Sequence, residues 1–126
     1  MTVPILKQGN YLIATVQSAL ADRDLSQLRD DLAERVGRFR SRGVIVDVTA
    51  LDVMDSFAVR TLRGMAQLVR LRGAKTVIVG LQPEVAFAMV RLGLELGDVA
   101  TALDLEEGLA LLRGGIEKGG NRTGSR

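Results

Sequence analysis

The chain has 126 residues, and its composition excludes several classes of catalytic site. This length suits a single domain, and aromatic residues make up only 3%, so the core must be built from aliphatic side chains. The absence of cysteine and histidine excludes thiol nucleophiles, zinc–thiolate sites and histidine-dependent catalysis. We expect no cofactor, no metal site, no signal peptide and no membrane span, and therefore a cytoplasmic location.

The net charge of +2 comes from the C-terminal end of the chain. Residues 114–126 contain three basic residues and one acidic residue, so residues 1–113 are neutral overall. We therefore predict a folded domain over residues 1–113 and a flexible, glycine-rich basic tail over residues 114–126. A neutral domain argues against nucleic acid as a partner, and its basic stretch followed by an acidic one favours protein partners.

The first half of the chain has the pattern of a hairpin, a helix and a buried strand. Apolar segments at residues 3–8 and 11–17 flank Gly9-Asn10, a two-residue β-hairpin signal. A helix is expected from about Asp24 to an end at Gly43, with an acidic start and a basic end that complement its dipole. The apolar run at residues 43–49 is typical of a strand covered on both faces. The predicted inner face of the helix consists of Leu25, Leu28, Leu32, Val36 and Phe39.

The second half continues the alternation of strands and helices. Strands are expected at residues 75–81 and 99–103, and helices at about 56–72, at 83–96 and from a cap at Asp104. The resulting order, β-β-α-β-α-β-α-β-α, predicts an α/β domain with one mixed, mostly parallel five-stranded sheet. The expected inner face of the last helix consists of Leu105, Leu109 and Leu112.

The third predicted helix is apolar on most of its sides. Such a helix is either deeply covered by its own domain, which the sequence favours, or contributes to an interface between protomers. Its two apolar stripes consist of Val85, Met89 and Leu92, and of Phe87, Val90 and Leu94.

The most informative segment is VIVDVTALDVMDSFAVRTLR at residues 44–63, where a buried strand leads into a helix that begins at Asp55-Ser56. Serine and aspartate are both favoured N-cap residues, so helix capping is the plain structural explanation. A phosphoryl group on Ser56 would also be tolerated, because a helix start presents unpaired N–H groups and a partial positive charge. Arg60, one turn further on, would attract it, whereas Asp52 and Asp55 would repel it.

Nothing in the sequence builds a reaction centre. There is no phosphate-binding glycine loop, and the neighbouring carboxylates at residues 30–31 and 106–107 point in different directions on helices. A nucleotide-binding or hydrolytic enzyme is therefore the disfavoured alternative.

The run DVTALDVMDSFAVRTL at residues 47–62 resembles the signature of the STAS domain, which anti-sigma-factor antagonists share with sulfate transporter tails. Segments at residues 4–7, 72–75, 80–83 and 101–106 extend the resemblance over residues 3–113. They are most similar to the single-domain antagonists of the bacterial stressosome.

The resemblance implies a non-enzymatic phosphoswitch scaffold. Such antagonists assemble with longer sensor paralogues that carry C-terminal STAS domains, and the assembly holds a switch serine kinase. The kinase phosphorylates the antagonist and leaves, and a phosphatase resets the serine. Carried onto this chain, Ser56 is the phosphoacceptor, and the partner-binding residues around it are Asp55, Phe57, Arg60 and Arg63.

The resemblance also implies homo- and hetero-oligomers, with neither nucleic acid nor membrane as a partner. The third predicted helix contains no serine or threonine, which favours a single-site antagonist over a sensor. A free anti-sigma-factor antagonist that binds its kinase without a large assembly would use the same Ser56 chemistry, so the sequence leaves that alternative open.

Overall fold

One five-stranded sheet organises the computed structural model, which describes residues 3–17, 20–97 and 99–115. The strands follow their chain order across the sheet; the first pair is antiparallel and the others are parallel. This confirms the predicted α/β class and mixed sheet. The elements are β1 (Ile5–Gln8), β2 (Tyr11–Thr15), α1 (Asp22–Phe39), β3 (Gly43–Asp47), α2 (Ser56–Leu71), β4 (Lys75–Val79), α3 (Pro83–Arg91), β5 (Ala100–Ala102), α4 (Leu105–Ala110) and a kinked turn (Leu111–Gly115).

The central strand β3 is buried on both faces, as its unbroken apolar sequence predicts. Val44 and Val46 face the larger core, which α1, α2 and α3 cover, whereas Ile45 faces a smaller core under α4. The register pairs Ile45 with Ile13 of β2 and with Val77 of β4, so one row of branched side chains crosses the sheet. The helices bury Leu25, Leu28, Leu32, Val36, Val59, Leu62, Met65, Val69, Val85 and Met89 in the larger core.

Helix α1 ends earlier than its sequence predicted. Arg40 adopts a left-handed conformation with φ of 53°, and the Ser41 amide donates to the carbonyl of Val36 (3.2 Å), which closes the helix at Phe39. The predicted end at Gly43 is therefore wrong, because Gly43 already starts β3. Four of the five predicted inner residues are buried, but Phe39 is exposed, and its ring contacts the cations of Lys7 and Arg38.

Helix α3 is also shorter than predicted. It ends at Arg91 instead of residue 96, because Gly93 takes a positive φ of 72° and the Leu94 amide turns back to the carbonyl of Met89 (2.9 Å). The apolar residues that follow belong to the irregular connection to β5.

The interpretation of α3 as a deeply covered helix is wrong. Val85 and Met89 are buried, but Phe87 and Val90 are 63% and 75% exposed. Leu92, just past the helix, is also exposed, whereas Leu94 packs half-buried against the core. The helix therefore covers the core with one narrow stripe and leaves an apolar face outside it.

Helix α4 covers the opposite face of the sheet through a glycine. Gly108 is buried, and a Cβ atom there would lie 2.7 Å from Cγ1 of Val79. Leu109 and Leu112 pack half-buried beside it, as predicted. Leu105 is 37% exposed and does not belong to this core. Asp104 caps the helix as predicted, accepting a hydrogen bond from the Glu107 amide (2.9 Å).

The C-terminal boundary stays a prediction. The segment after α4 kinks at Gly114, where φ is 132°, and residues 116–126 of the predicted tail lie outside the described residues. Within the described ranges, no helix is both long enough and apolar enough to cross a membrane.

The close approach of α4 predicts that Gly108→Ala lowers the free energy of unfolding by about 1–3 kcal/mol, because the added methyl group collides with a buried valine. Gly64→Ala in α2 is the matched control: its Cβ would meet nothing within 4 Å, so it should stabilise by about 0.5–1 kcal/mol. Urea denaturation followed by circular dichroism measures both. Equal stabilisation by the two substitutions would contradict the packing described for α4.

Candidate functional site

Two buried apolar side chains hold the loop that joins β3 to α2. Leu51 and Met54 point into the larger core, and the Leu51 amide donates to the carbonyl of Val48 (2.9 Å). Asp52 and Val53 lie between these anchors and are exposed. The alternation fixes the loop while it presents an acidic and an apolar side chain to solvent.

Hydrogen bonds fix the same loop from its other side. Asp47 Oδ1 accepts from the amide (2.9 Å) and from the hydroxyl (2.6 Å) of Thr49. Gln82 Nε2 donates to the Thr49 carbonyl (2.8 Å) and to Asp52 Oδ1 (3.3 Å). Gly80, with φ of 78°, lies directly against Thr49, where a Cβ atom would overlap the threonine hydroxyl. The loop is therefore attached to the segment that leads into α3.

Asp55, and not Ser56, caps helix α2. Its Oδ1 accepts from the Ala58 amide (2.8 Å), and its carbonyl accepts from the Val59 amide (3.0 Å). Ser56 is the first helical residue and is exposed, and its hydroxyl has no hydrogen-bond partner within the described part of the chain. The capping explanation of Ser56 is therefore wrong, and its hydroxyl is available to a partner.

The other predicted site residues divide into two groups. Phe57 packs half-buried on the core, and Arg60 is exposed, with no ion-pair partner among residues 3–17, 20–97 and 99–115. Arg63, two turns after Ser56, is half-buried; its Nη1 donates to the Glu95 carbonyl (2.5 Å). The first turns of α2 thus bring Asp55, Ser56, Phe57 and Arg60 together, whereas Arg63 holds the connection between α3 and β5.

A groove of about 470 Å³ lies beside Asp55, between the loop, the end of β2 and the start of α1. Sequence reasoning missed it because its walls come from three separate segments. The available signal was Val53, an apolar residue between acids, which is 75% exposed. The groove is lined by Val16, Leu20, Asp22, Leu25, Leu51, Asp52, Val53, Asp55 and Ala58.

The geometry of the site suits a hydroxyl group that another protein modifies. Ser56 offers a free hydroxyl, and the carboxylate next to it is engaged in capping. The described residues contain no group of three potential ligands that could hold a metal ion. Asp52, Val53, Asp55 and Arg60, which lie within four residues of Ser56 along the chain, are all exposed.

The sequence model of the STAS domain matches residues 2–107. The chain belongs to the STAS domain family. Its fold is similar to RsbS of Moorella thermoacetica carrying a serine-to-glutamate substitution, with 32% identity, a TM-score of 0.78, and coverage of 91% of this chain and 97% of that one. It is also similar to a chain in a structure of the stressosome, described as "a signal integration and transduction hub", with 34% identity, a TM-score of 0.76, and coverage of 90% and 98%.

A curated relative shares the STAS domain within a longer chain. The RsbT co-antagonist protein RsbRA of Bacillus subtilis is 32% identical over 98 residues, which are 78% of this chain. The match spans only 34% of that relative's length. These similarities confirm the resemblance to the stressosome antagonists on which the sequence interpretation rested.

The cap of this STAS domain predicts that Asp55→Ala lowers the free energy of unfolding by about 1 kcal/mol, because the Ala58 amide loses its acceptor. Asp55→Asn keeps a side-chain oxygen at the same place, so it should cost less than half of that. Urea denaturation of the two variants beside the wild type measures the difference. An Asp55→Ala protein as stable as the wild type would contradict the capping role.

Proposed function

We propose that the protein is a non-enzymatic phosphoswitch scaffold of a stressosome-like signalling complex. It sequesters a switch serine kinase and releases that kinase when Ser56 is phosphorylated. The observation that carries the proposal is the exposed Ser56 hydroxyl, which Asp55 leaves free by capping α2. Sensor paralogues with C-terminal STAS domains share the assembly, a phosphatase resets the serine, and the cycle runs in the cytoplasm. The similarity to RsbS and to a stressosome chain supports this setting.

The start of α2 accommodates a phosphate without refolding. Ser56 is exposed and the bond that caps the helix belongs to its neighbour, so modification removes no interaction of the fold. The partial positive charge of the helix start favours an anion at this position. The domain therefore keeps its structure in both states, and the switch acts through its surface.

The phosphate changes the charge of that surface. It adds about −1.5 to −2 charges beside Asp52 and Asp55, which are already negative, and Arg60 compensates only part of this. Like charges brought together across an interface cost several kcal/mol. A kinase that docks with its own acidic groups near Ser56 is thereby expelled by the product of its reaction.

Val53 and the adjacent groove give the kinase an apolar contact. Interfaces bind mainly through a few apolar anchors in pockets, and a polar rim surrounds them. Here the exposed Val53 and the groove of about 470 Å³ are the apolar part, and Asp55, Ser56 and Arg60 form the rim. Binding and phosphorylation thus use neighbouring parts of one surface.

Incubation with the switch kinase and Mg-ATP should add one phosphate per chain, at Ser56. The Ser56→Ala protein should take up none, and the Ser26→Ala protein, altered on α1, should be labelled like the wild type. Intact-mass spectrometry counts the phosphates. Stoichiometric labelling of Ser56→Ala would overturn the assignment of the acceptor.

Ser56→Asp should weaken retention of the kinase by about tenfold, or about 1.4 kcal/mol, because it adds a negative charge at the docking surface. Gln27→Glu adds the same charge on α1 and should bind the kinase like the wild type. Pull-down measures retention, and unchanged retention by Ser56→Asp would contradict the switch.

With a sensor paralogue added, size exclusion should give a very large species. A small heterodimer would instead favour the free antagonist.

A further inference from the structure

The outer face of α3 is apolar, and no described part of the chain covers it. Phe87 and Val90 are exposed three residues apart on one face of the helix. The Arg91 guanidinium lies 5.8 Å from the centroid of the Phe87 ring, which leaves the ring largely open. Contiguous exposed apolar side chains of this kind mark interaction surfaces.

The charges beside this patch complement each other when the helix meets its own copy. Glu84 and Arg91 are seven residues apart, so they lie on the same side of α3 at a separation of about 10 Å along its axis. Phe87 lies between them. Neither charge has an ion-pair partner among residues 3–17, 20–97 and 99–115. A two-fold contact requires a surface that complements itself. The acid at one end of α3 and the base at the other complement each other when the two helices are antiparallel.

We propose that α3 pairs antiparallel with α3 of a second copy of this chain. The two-fold axis passes beside Phe87, so the two Phe87 rings meet at the centre and the Val90 side chains flank them. Glu84 of each copy then faces Arg91 of the other, and both ion pairs lie on one side of the apolar contact. A parallel pairing would place like charges opposite each other.

The pairing is weak by itself and acts where copies are already concentrated. The helix has nine residues, so the contact is well below the roughly 1,200–2,000 Å² of a stable interface. In this respect the inference rests on the proposed assembly, which would hold many copies together and raise their effective concentration. The surface therefore connects domains within an assembly and gives no stable dimer in dilute solution.

The absence of cysteine allows a direct test by disulfide formation. Glu84→Cys and Arg91→Cys are prepared separately, mixed in equal amounts at high concentration and oxidised. Antiparallel pairing brings position 84 of one copy level with position 91 of the other, whereas identical positions stay about 10 Å apart along the axis. We expect the mixed dimer to exceed each homodimer at least tenfold; intact mass separates the three products.

Random collision sets the reference for this experiment, since it gives a mixed dimer only twice as abundant as each homodimer. Gln27→Cys with Glu34→Cys, two exposed positions seven residues apart on α1, should give that ratio. Adding Phe87→Ser to both α3 variants should lower the ratio of mixed dimer to homodimer to this random value of two. Because Phe87 is exposed, the domain stays folded. A random ratio for the α3 pair itself overturns the proposal.

The result is independent of the proposed phosphoswitch, because neither kinase, nor nucleotide, nor sensor is present in the reaction. Failure of Ser56 labelling would leave the cross-link ratio untouched, and a random ratio would leave Ser56 as the acceptor. If the ratio is random and Phe87→Ser nevertheless prevents binding of a sensor paralogue, the α3 face belongs to that partner and the self-pairing is wrong.

Discussion

The burial of β3 on both faces is the constraint on which the rest of the structure depends. A central strand without a polar face requires cover on two sides, which α1, α2 and α3 supply on one side and α4 on the other. The parallel pairing of β3 with both of its neighbours then requires helical crossovers. The crossover after β3 begins at the carboxyl end of the sheet, and for this reason the Ser56 loop lies at an edge that solvent reaches.

Asp55 caps helix α2, and Ser56 keeps its hydroxyl free, although from the sequence either residue could be the cap. A helix start needs an acceptor for its free amides, and Asp55 supplies it at 2.8 Å from the Ala58 nitrogen. Because Asp55 meets that need, a phosphate on Ser56, as proposed above, would not displace the cap of α2. If the serine were itself the cap, its phosphorylation would remove the capping hydrogen bond and destabilise the start of the helix. In the proposed switch, the adjacent aspartate would therefore separate signalling from folding.

The sequence predicted those parts of the fold that depend on the periodicity of apolar residues. The alternation of strands and helices along the chain, the inner face of α1 up to Val36 and the start of α2 at Ser56 follow from spacing and cap signals. The errors in α3 and α4 occurred where a glycine decides the structure, and the error at the end of α1 occurred where Arg40 takes a left-handed conformation. Gly93 ends α3 within an apolar run that continues past it, and Gly108 forms the inner face of α4 because it lacks a side chain. The groove beside Asp55 combines three segments, so no local pattern contains it.

Gln82 joins the loop before Ser56 to the start of α3. It is the N-cap residue of α3, and its side-chain amide donates to the loop before Ser56, at the Thr49 carbonyl and at Asp52 Oδ1. The bond to Asp52 is long, at 3.3 Å, and a phosphate on Ser56 would repel the Asp52 carboxylate. Any displacement of Asp52 therefore acts on the residue from which α3 starts. Pro83, the first residue of α3, follows Gln82 directly, so these hydrogen bonds tie the start of α3 to the loop before Ser56.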